Sequence, residues 1–269
     1  MTKWDVKSTY RCHDRSAASQ NLVFFIMSNQ PPEIVPGFEI LREDGPLLAV
    51  NKPAGLLTQA PSGIDSLEHR VKDFLTVRDQ KPGRCYLGVP HRLDRPVSGV
   101  LLFAKHVRAA RRLSEQFASR TVEKTYWTAV SGQPKESADT WVDFMKKVQH
   151  QPLAVIAKPM DPEAREAILH YRVLQRFDWG AWLEVQLETG RMHQIRLQAA
   201  SRGFPILGDL QYGSNVSFGE QHNDTRWNGI ALHARSITFL HPMTREPLTL
   251  EAALPTAWHK LEINPKGIS

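Results

Sequence analysis

The sequence has few cysteines and no apolar run long enough to cross a membrane. Its two cysteines among 269 residues, Cys12 and Cys85, lack the paired spacing of a zinc site or a disulfide framework. The apolar run at residues 22–27 is shorter than a signal-peptide core, and no small-residue cleavage motif follows it. A membrane helix needs roughly 20 apolar residues, and no run approaches that length. These absences exclude a disulfide-stapled scaffold and a helical membrane protein. We expect a protein of the reducing cytoplasm without a secretion signal.

The charge balance is modestly basic. Lysine and arginine total 34 and aspartate and glutamate 28, which gives a formal net charge of +6 and a pI near 9.4. This balance suits a polyanionic partner such as RNA, although many proteins of similar charge bind no nucleic acid. Apolar residues make up 41% of the chain, enough for a globular core.

The organisation along the chain indicates one main domain of the α+β class. Residues 1–35 are polar without a sustained period, so we expect a poorly ordered extension there, a folded domain at 36–262 and a tail at 263–269. Short apolar strands joined by turns outnumber helices, which favours a mixed, mainly antiparallel sheet. The stretch 135–161 has no readable period. Strands are predicted at 47–50, 100–104, 126–130, 183–187, 231–234 and 236–240, and helices at 65–77, 107–117 and 193–201.

The loop before the strand at 100–104 contains the first candidate for chemistry. Asp94 lies there between Arg92 and Arg95, in a segment rich in proline and glycine. Flanking positive charge favours an ionised carboxylate, which is able to act as a nucleophile or a base. A surface loop with a local ion pair explains the same residues, and residue types alone favour that simpler interpretation.

Two further segments offer groups that suit RNA. Arg191, His193 and Gln194 cluster at a strand-to-helix turn, which is typical of an anion site but also of a capped helix with solvated side chains. Tyr126 lies in a strand, where an aromatic ring either stacks on an extruded base or packs in the core.

Two other features have an open interpretation. The glycine-rich segment 207–214 contains Asp209 and is either a support for the site or a purely structural turn. The helix at 107–117 has Arg108, Arg111 and Arg112 on its surface. It is either a track for RNA phosphates or a solvated face.

Taken together and in this order, the segments resemble the RluA-type pseudouridine synthases. The resemblance covers most of residues 37–255. The matching segments are NKPAG at 51–55, HRLD at 91–94 with SG at 98–99, KTY at 124–126, TGRMHQIR at 189–196, PILGD at 205–209, LHA at 232–234 and HP at 241–242. The chain resembles compact members without an RNA-binding module of the S4 type.

The resemblance implies a long, bent, mainly antiparallel mixed sheet with flanking helices. It implies isomerisation of a specific uridine to pseudouridine in RNA, either tRNA or rRNA, with a slight preference for tRNA. It also implies that no cofactor and no metal are used, that no membrane is bound, and that the protein is a cytoplasmic monomer.

The resemblance also implies roles for individual residues. Asp94 is the expected catalytic carboxylate, Tyr126 stacks on the flipped uracil and takes part in proton transfer, and Arg196 pairs with Asp94. Whether Asp94 attacks the sugar or removes a proton stays open. Arg92 is expected to fill the gap left by the base. The other expected substrate contacts are His91, Arg191, His193, Gln194 and Lys52.

The sequence departs from the family pattern at two positions, and two functions other than pseudouridine formation fit the same residues. Val97 replaces the usual threonine and Gln198 a common histidine, which we expect to affect substrate fit rather than catalysis. One alternative is a non-catalytic RNA-binding or RNA-folding protein on the same scaffold. Another is a hydrolase of glycosidic bonds, which usually needs a second carboxylate or a metal; Asp209 is the candidate carboxylate.

Overall fold

The structure is a computed structural model that describes residues 37–263 except Lys81 and Arg84. The predicted extension at 1–35 therefore lies outside the described residues, as does most of the predicted tail. The α-helices are α1 (Leu67–Arg78), α2 (Val107–Ala118) and α3 (Gln194–Ser201). The strands are β1 (Glu39–Asp44), β2 (Leu47–Lys52), β3 (Ser98–Ala104), β4 (Glu123–Ser131), β5 (Ala138–Lys147), β6 (Ala154–Ala157), β7 (Arg165–Phe177), β8 (Gly180–Leu187), β9 (Leu232–Leu240) and β10 (Pro247–Glu251).

The ten strands form one mixed sheet, which confirms the predicted α+β class. Their order is β1-β2-β3-β9-β4-β8-β7-β5-β6, with β10 beside β9. Every pair is antiparallel except β3 with β9, which run parallel. That parallel contact is short and joins Ser98 to His233 and Gly99 to Ala234. A Cβ at Gly99 would collide with the backbone of Ala234, so only glycine allows the close approach.

Helices cover both faces of the sheet around β2 and β3. All seven residues of β3 are buried, as expected of a strand with both faces covered. Leu101 and Phe103 pack with the core that includes Leu67 of α1, whereas Val100 packs with the core that includes Leu113 of α2. Alternate residues of one strand thus contact different helices. This sandwich fixes the position of the loop that enters β3.

The predicted helices and strands agree with the structure within a few residues, with one correction, and five strands were not predicted: β1, β5, β6, β7 and β10. The strands predicted at 231–234 and 236–240 form a single strand, β9. Tyr126 pairs with Ala234 and Thr125 with Ser236, so Arg235 is an extra residue on β9. This β-bulge interrupts the alternation and explains the wrong prediction. The unreadable stretch 135–161 forms β5 and β6. Among the residues that the structure describes, no helix has the length and apolar character needed to span a bilayer.

His233 is fully buried at the short parallel contact between β9 and β3. Its Nδ1 lies 2.8 Å from Ser98 Oγ, and its Nε2 lies 3.2 Å from the carbonyl oxygen of Ala252. Burial lowers the pKa of His233 to about 4. The hydrogen bond with the backbone of Ala252 raises the pKa, and the positive charge of Arg235 lowers it. The imidazole is therefore neutral in the folded protein at neutral pH.

We expect the buried His233 to make the fold sensitive to acid. The unfolded chain protonates this histidine near pH 6.5, above its folded pKa, so stability is complete above pH 6.5 and is lost as the pH falls towards 4. Between pH 7.5 and 5 the wild type should lose about 2 kcal/mol more unfolding free energy than His233→Gln. Urea denaturation at both pH values measures this difference. The exposed control His222→Gln should behave like the wild type, and an equal pH dependence in His233→Gln would contradict the assignment.

Candidate active site

The loop that carries Asp94 is held by a buried lysine. Lys52, at the end of β2, is fully buried, and its ammonium donates to the carbonyl oxygens of Pro53 at 2.8 Å, Arg95 at 3.2 Å and Val97 at 2.8 Å. Burial lowers the pKa of Lys52 to about 7, and the nearby carboxylate of Asp94 acts in the opposite direction. Three carbonyl acceptors match the three N–H groups of an ammonium. Lys52 therefore fixes the backbone just after Asp94.

The same loop is held on the other side of Asp94 and at its neighbour. The hydroxyl of Thr58 donates to the carbonyl oxygen of Leu93 at 2.8 Å and accepts from its N–H at 3.2 Å. Arg95 donates to the carbonyl oxygen of Gly55 at 2.8 Å, and its guanidinium lies 5.0 Å from the ring centroid of Trp227. Of the two arginines that flank Asp94 in the sequence, Arg95 therefore holds the loop.

A buried ion pair forms the centre of the site. Arg196 of α3 and Asp209 are 4% and 1% exposed. The guanidinium donates to both carboxylate oxygens of Asp209, at 2.7 and 2.8 Å. A further N–H of Arg196 lies 3.4 Å from Asp94 Oδ2, so the expected pairing with Asp94 exists in the structure but is the longer contact. Its remaining Nη2 hydrogen bond goes to the Oε1 of Gln211 at 2.8 Å.

His193 also faces Asp94. Its Nε2 lies 3.6 Å from Asp94 Oδ2, and its Nδ1 lies 2.9 Å from the hydroxyl of Tyr212. His193 adopts left-handed backbone angles, with φ of 54°, at the residue before α3. Burial lowers the pKa of His193, while the negative charge of Asp94 opposes that shift. Asp94 thus faces a permanent cation on Arg196 and an imidazole whose charged form is disfavoured.

Tyr126 of β4 lines the same cleft as Asp94. Burial raises the pKa of its hydroxyl, and the charge of Asp94 raises it further. The phenol is therefore protonated at neutral pH. The side chain combines an aromatic face with an O–H group within the electrostatic range of the carboxylate.

The cleft around these residues has a volume of about 1270 Å³ and a basic lining. Its lining includes the loop with Asp94, the end of α2 and the turn between β5 and β6. Eight basic side chains face three carboxylates, which favours a polyanionic ligand. The basic residues are Arg92, Arg120, Lys124, Lys146, Lys147, Arg165, Arg191 and Arg196; the acidic residues are Asp94, Glu163 and Glu188.

Several predicted substrate contacts also line the cleft. Arg92 is exposed there, and Arg191 donates from its Nε to the carbonyl oxygen of Glu166 at 2.8 Å. His91 stacks on Phe117 with centroids 4.4 Å apart, and its Nε2 accepts from a backbone N–H of β3 at 3.0 Å. Burial lowers the pKa of His91 to about 3, so it is a neutral acceptor. Their contact with substrate stays a prediction.

Gln194 and Lys52 have their polar groups occupied by the protein itself. The Oε1 of Gln194 accepts from the Thr189 hydroxyl at 2.8 Å and from the Arg191 N–H at 3.0 Å. Its Nε2 donates to the carbonyl oxygen of Ile168 at 3.0 Å. These bonds tie the turn before α3 to β7. In this structure both side chains bond other parts of the protein, and their contact with substrate stays a prediction.

The two departures from the family pattern lie in different environments. Val97 is buried and lines the cleft, so the missing hydroxyl belongs to the wall of the site. Gln198 is fully buried on α3, where its Nε2 lies within hydrogen-bond distance of the Trp141 carbonyl oxygen and the Asp143 carboxylate. Gln198 is absent from the described lining of the cleft. Only Val97 thus has direct access to a ligand.

Sequence reasoning missed the residues behind Arg196. It proposed Asp209 as support for the site or as a hydrolytic carboxylate, and it gave no role to Gln211 or Tyr212. All three follow the glycine at 208, and their close spacing within the segment LGDLQYG at 207–213 is the signal by which they could have been found. Within the described part of the chain, no group of three or more His, Cys, Asp or Glu side chains is arranged to hold a metal ion.

Comparison with known proteins gives consistent matches. The family model described as RNA pseudouridylate synthase matches residues 46–201. An uncharacterized RNA pseudouridine synthase of Synechocystis sp. is 33% identical over 86% of this chain and 72% of its own length. The tRNA pseudouridine synthase C of Haemophilus influenzae is 36% identical over 83% of this chain and 95% of its own length. The ribosomal large subunit pseudouridine synthase D of Xanthomonas campestris is 32% identical over 89% and 72%.

A solved structure supports the fold. Human RNA Pseudouridylate Synthase Domain Containing 4 aligns over 83% of this chain and 93% of its own, with a TM-score of 0.67 and 24% identity. At this identity the similarity concerns the fold alone.

The buried pair of Arg196 and Asp209 makes a testable contribution to stability. Asp209→Asn leaves the arginine buried without its main counter-charge, and we expect the unfolding free energy to fall by about 3–5 kcal/mol. Chemical denaturation followed by circular dichroism measures the loss. The control Asp44→Asn removes a carboxylate from an exposed pair with Arg42 and should change stability little. Equal stability of the two variants would contradict a central role for the buried pair.

Proposed function

The chain belongs to the RluA-type family of RNA pseudouridylate synthases, which isomerise uridine in RNA to pseudouridine, and we propose that Asp94 begins this reaction on a uridine of tRNA or rRNA. The observation that supports this proposal most is the position of Asp94 in a basic cleft, beside Arg196 and together with Tyr126.

Asp94 is available for chemistry because Arg196 divides its charge between two carboxylates. Asp209 takes the two short hydrogen bonds of the guanidinium, and Asp94 has the single contact at 3.4 Å. The nearby cation attracts the carboxylate of Asp94 without a tight bond that would occupy both of its oxygens. About a third of its side chain is exposed to the cleft, at 32%. Both attack on the sugar and removal of a sugar proton are compatible with this arrangement.

Tyr126 and Arg92 suit the extrusion of the target base. An enzyme that acts on a base within RNA has to unstack it, and stacking on an aromatic ring offsets part of that cost. We propose that Tyr126 provides the ring and that its raised pKa keeps the hydroxyl protonated as a potential proton donor. The exposed Arg92 is two residues from Asp94 and is proposed to fill the space that the base leaves.

Lys52 and Gln194 are proposed to act through the backbone that they hold. Lys52 donates to the carbonyl oxygens of Arg95 and Val97, just after Asp94. Gln194 accepts from the N–H of Arg191 in the turn that precedes Arg196. Their effect on substrate binding would therefore be indirect. His91 lines the cleft and is proposed to contact RNA by its face, since its Nε2 is occupied.

The geometry counts against the hydrolase alternative. That reaction needs a second carboxylate that reaches the substrate or a water molecule. Asp209, the candidate for that second carboxylate, is 1% exposed and bound by two hydrogen bonds to Arg196.

Between the two RNA classes, tRNA is favoured because the chain covers 95% and 93% of the length of two relatives named tRNA pseudouridine synthase C. It covers 72% of the length of a relative named ribosomal large subunit pseudouridine synthase D.

The surface of α2 supports an RNA contact outside the cleft. Arg108 and Arg111 are exposed there, and the exposed Arg245 adds a charge from the β9–β10 turn. The pKa of Arg112 is lowered, mainly by loss of hydration and then by the positive charges of Arg108, Arg245 and Arg111. Glu115 lies 3.5 Å from Arg111 in a highly exposed pair. We propose that these arginines bind phosphates of the RNA on either side of the modified uridine.

Removal of the carboxylate tests the proposed reaction. We expect Asp94→Ala to lower pseudouridine formation by about 10²–10⁴-fold or more, while the affinity for RNA is retained. The substrate is total RNA from cells that lack this protein, and mass spectrometry of its nucleosides measures the product. Asp44→Asn serves as the control for a lost surface carboxylate. Undiminished product from pure Asp94→Ala would contradict the proposal, and free uracil without pseudouridine would indicate the hydrolase.

The arginine surface is tested through the salt dependence of RNA binding. Arg108→Gln with Arg245→Gln should reduce the slope of log K against log salt by about 1–2, since each phosphate contact contributes about 0.7–0.9. The control pair Arg42→Gln with Arg172→Gln removes the same charge from arginines already paired with Asp44 and Glu184. Fluorescence anisotropy with labelled tRNA measures the slope. An unchanged slope in the first variant would show that this surface is only solvated.

A further inference from the structure

A single short turn contacts both the side chains that face Asp94, which are Arg196 and His193, and the segment between β5 and β6. The residues Leu210–Tyr212 form one turn of 3-10 helix after Asp209. The cleft lining also includes part of the segment between β5 and β6, residues 148–153, here called the β5–β6 turn. Two neighbouring side chains of the 3-10 helix, Gln211 and Tyr212, contact both sides.

Gln211 connects Arg196 to the β5–β6 turn through one amide group. Its Oε1 accepts from Arg196 Nη2 at 2.8 Å, and its Nε2 donates to the carbonyl oxygen of Pro152 at 2.8 Å. Both ends of the amide are thus in use. A shift of the turn backbone would displace the amide or break one of its two bonds.

Tyr212 makes a second connection of the same kind, between His193 and the start of β6. Its hydroxyl lies 2.9 Å from His193 Nδ1, accepts from the N–H of Ala154 at 3.0 Å and lies 3.3 Å from the carbonyl oxygen of Ala154. Its ring lies 5.0 Å from the guanidinium carbon of Arg196 and meets the His193 ring edge to face at 5.6 Å. One side chain therefore contacts both groups that face Asp94.

The β5–β6 turn has the composition of a surface that contacts RNA. Gln149, His150 and Gln151 are exposed and line the cleft, and Lys146 and Lys147 line it at the end of β5. Polar and cationic side chains at this position suit phosphate and sugar groups. A force on the turn from bound RNA would act on the backbone groups of Pro152 and Ala154, to which Gln211 and Tyr212 are bonded.

We propose that Gln211 and Tyr212 are positioning residues that couple contact of RNA with the β5–β6 turn to the placement of Arg196 and His193 beside Asp94. The inference rests on the proposed function of Asp94. Asp209 fixes one edge of the Arg196 guanidinium, so the bond to Gln211 and the ring of Tyr212 determine how its other edge faces Asp94. RNA that fails to engage the turn would then react slowly even when it is bound.

The coupling is tested by a double-mutant cycle between the 3-10 helix and the turn. Tyr212→Phe keeps the ring beside Arg196 and removes the hydroxyl, and the turn variant Gln149→Ala with His150→Ala removes exposed side chains only. Each variant alone should lower the single-turnover rate at saturating RNA by about tenfold, the size of one hydrogen bond. In the Tyr212→Phe background the turn variant should weaken RNA binding but lower the rate no further.

Matched variants separate coupling from simple structural support. Gln211→Met should reproduce the behaviour of Tyr212→Phe, because it breaks the other connection and also retains bulk. Tyr171→Phe removes a hydroxyl bonded to a carbonyl oxygen of Glu136 and should leave the rate unchanged. Thermal unfolding of each variant verifies that it is folded, and RNA affinity measured by anisotropy separates binding from the rate.

The outcomes distinguish this inference from the proposed function. If the rate effects of the Tyr212 and turn variants multiply independently, the coupling is overturned. The same holds if Tyr212→Phe weakens RNA binding and leaves the saturated rate intact. In both cases an inactive Asp94→Ala would leave the proposed function standing. An active Asp94→Ala would instead overturn the proposed function itself, whatever the cycle gives.

Discussion

The site depends on the burial of one guanidinium group. Arg196 is 4% exposed, and an unpaired charge at such a depth costs several kcal/mol. Its hydrogen bonds join three segments: the helix α3 that carries Arg196, the loop with Asp94, and the turn with Asp209 and Gln211. The charge is satisfied only when all three segments are in place. The requirement to solvate one cation therefore fixes the geometry of the whole centre.

The distribution of charge around this cation also selects what enters the cleft. Arg196 contributes one positive charge, and Asp209 and Asp94 contribute two negative charges, so this group of three side chains has a net negative charge. The outer lining has several lysines and arginines, among them Arg120 and Lys124. A phosphate is attracted to the rim and repelled from the centre, whereas a neutral uracil with its ribose meets no such repulsion. The field thus favours an extruded nucleoside over the backbone that carries it.

Much of this arrangement was readable from the sequence, and the remainder depends on contacts that a linear pattern does not contain. The apolar strand β3 and the amphipathic α2 follow from local periodicity, and the order of the motifs identified Asp94, Tyr126 and Arg196 as candidates. The family resemblance gave Lys52 as an expected substrate contact. It is buried because folding brings three carbonyl oxygens around it.

The strands β5 and β6 were unreadable for a different reason. Their pairing lies towards one end of the sheet order, and in β5 only Trp141 and Met145 are buried, so the apolar and polar residues do not alternate. Their neighbours are set by long-range pairing with β7 rather than by local preference. The bulge at Arg235 similarly arises from the register between β9 and β4, and the sequence there has no glycine or proline to announce it.

The topology gives the connection between the two walls of the cleft its importance. In the sheet order, β3 and β6 are separated by β9, β4, β8, β7 and β5, so the loop before β3 and the β5–β6 turn have no direct strand contact. They meet instead through α3 and the 3-10 helix, by the contacts of His193 and Arg196 with Tyr212 and Gln211. Gln198 of α3 also bonds Trp141 and Asp143 of β5, so the outer strands are held to α3 at more than one place. The hydrogen bonds of Gln211 and Tyr212 differ from these because each ends on a group that faces the carboxylate, so a displacement of the β5–β6 turn would strain the bonds that orient Arg196 and His193.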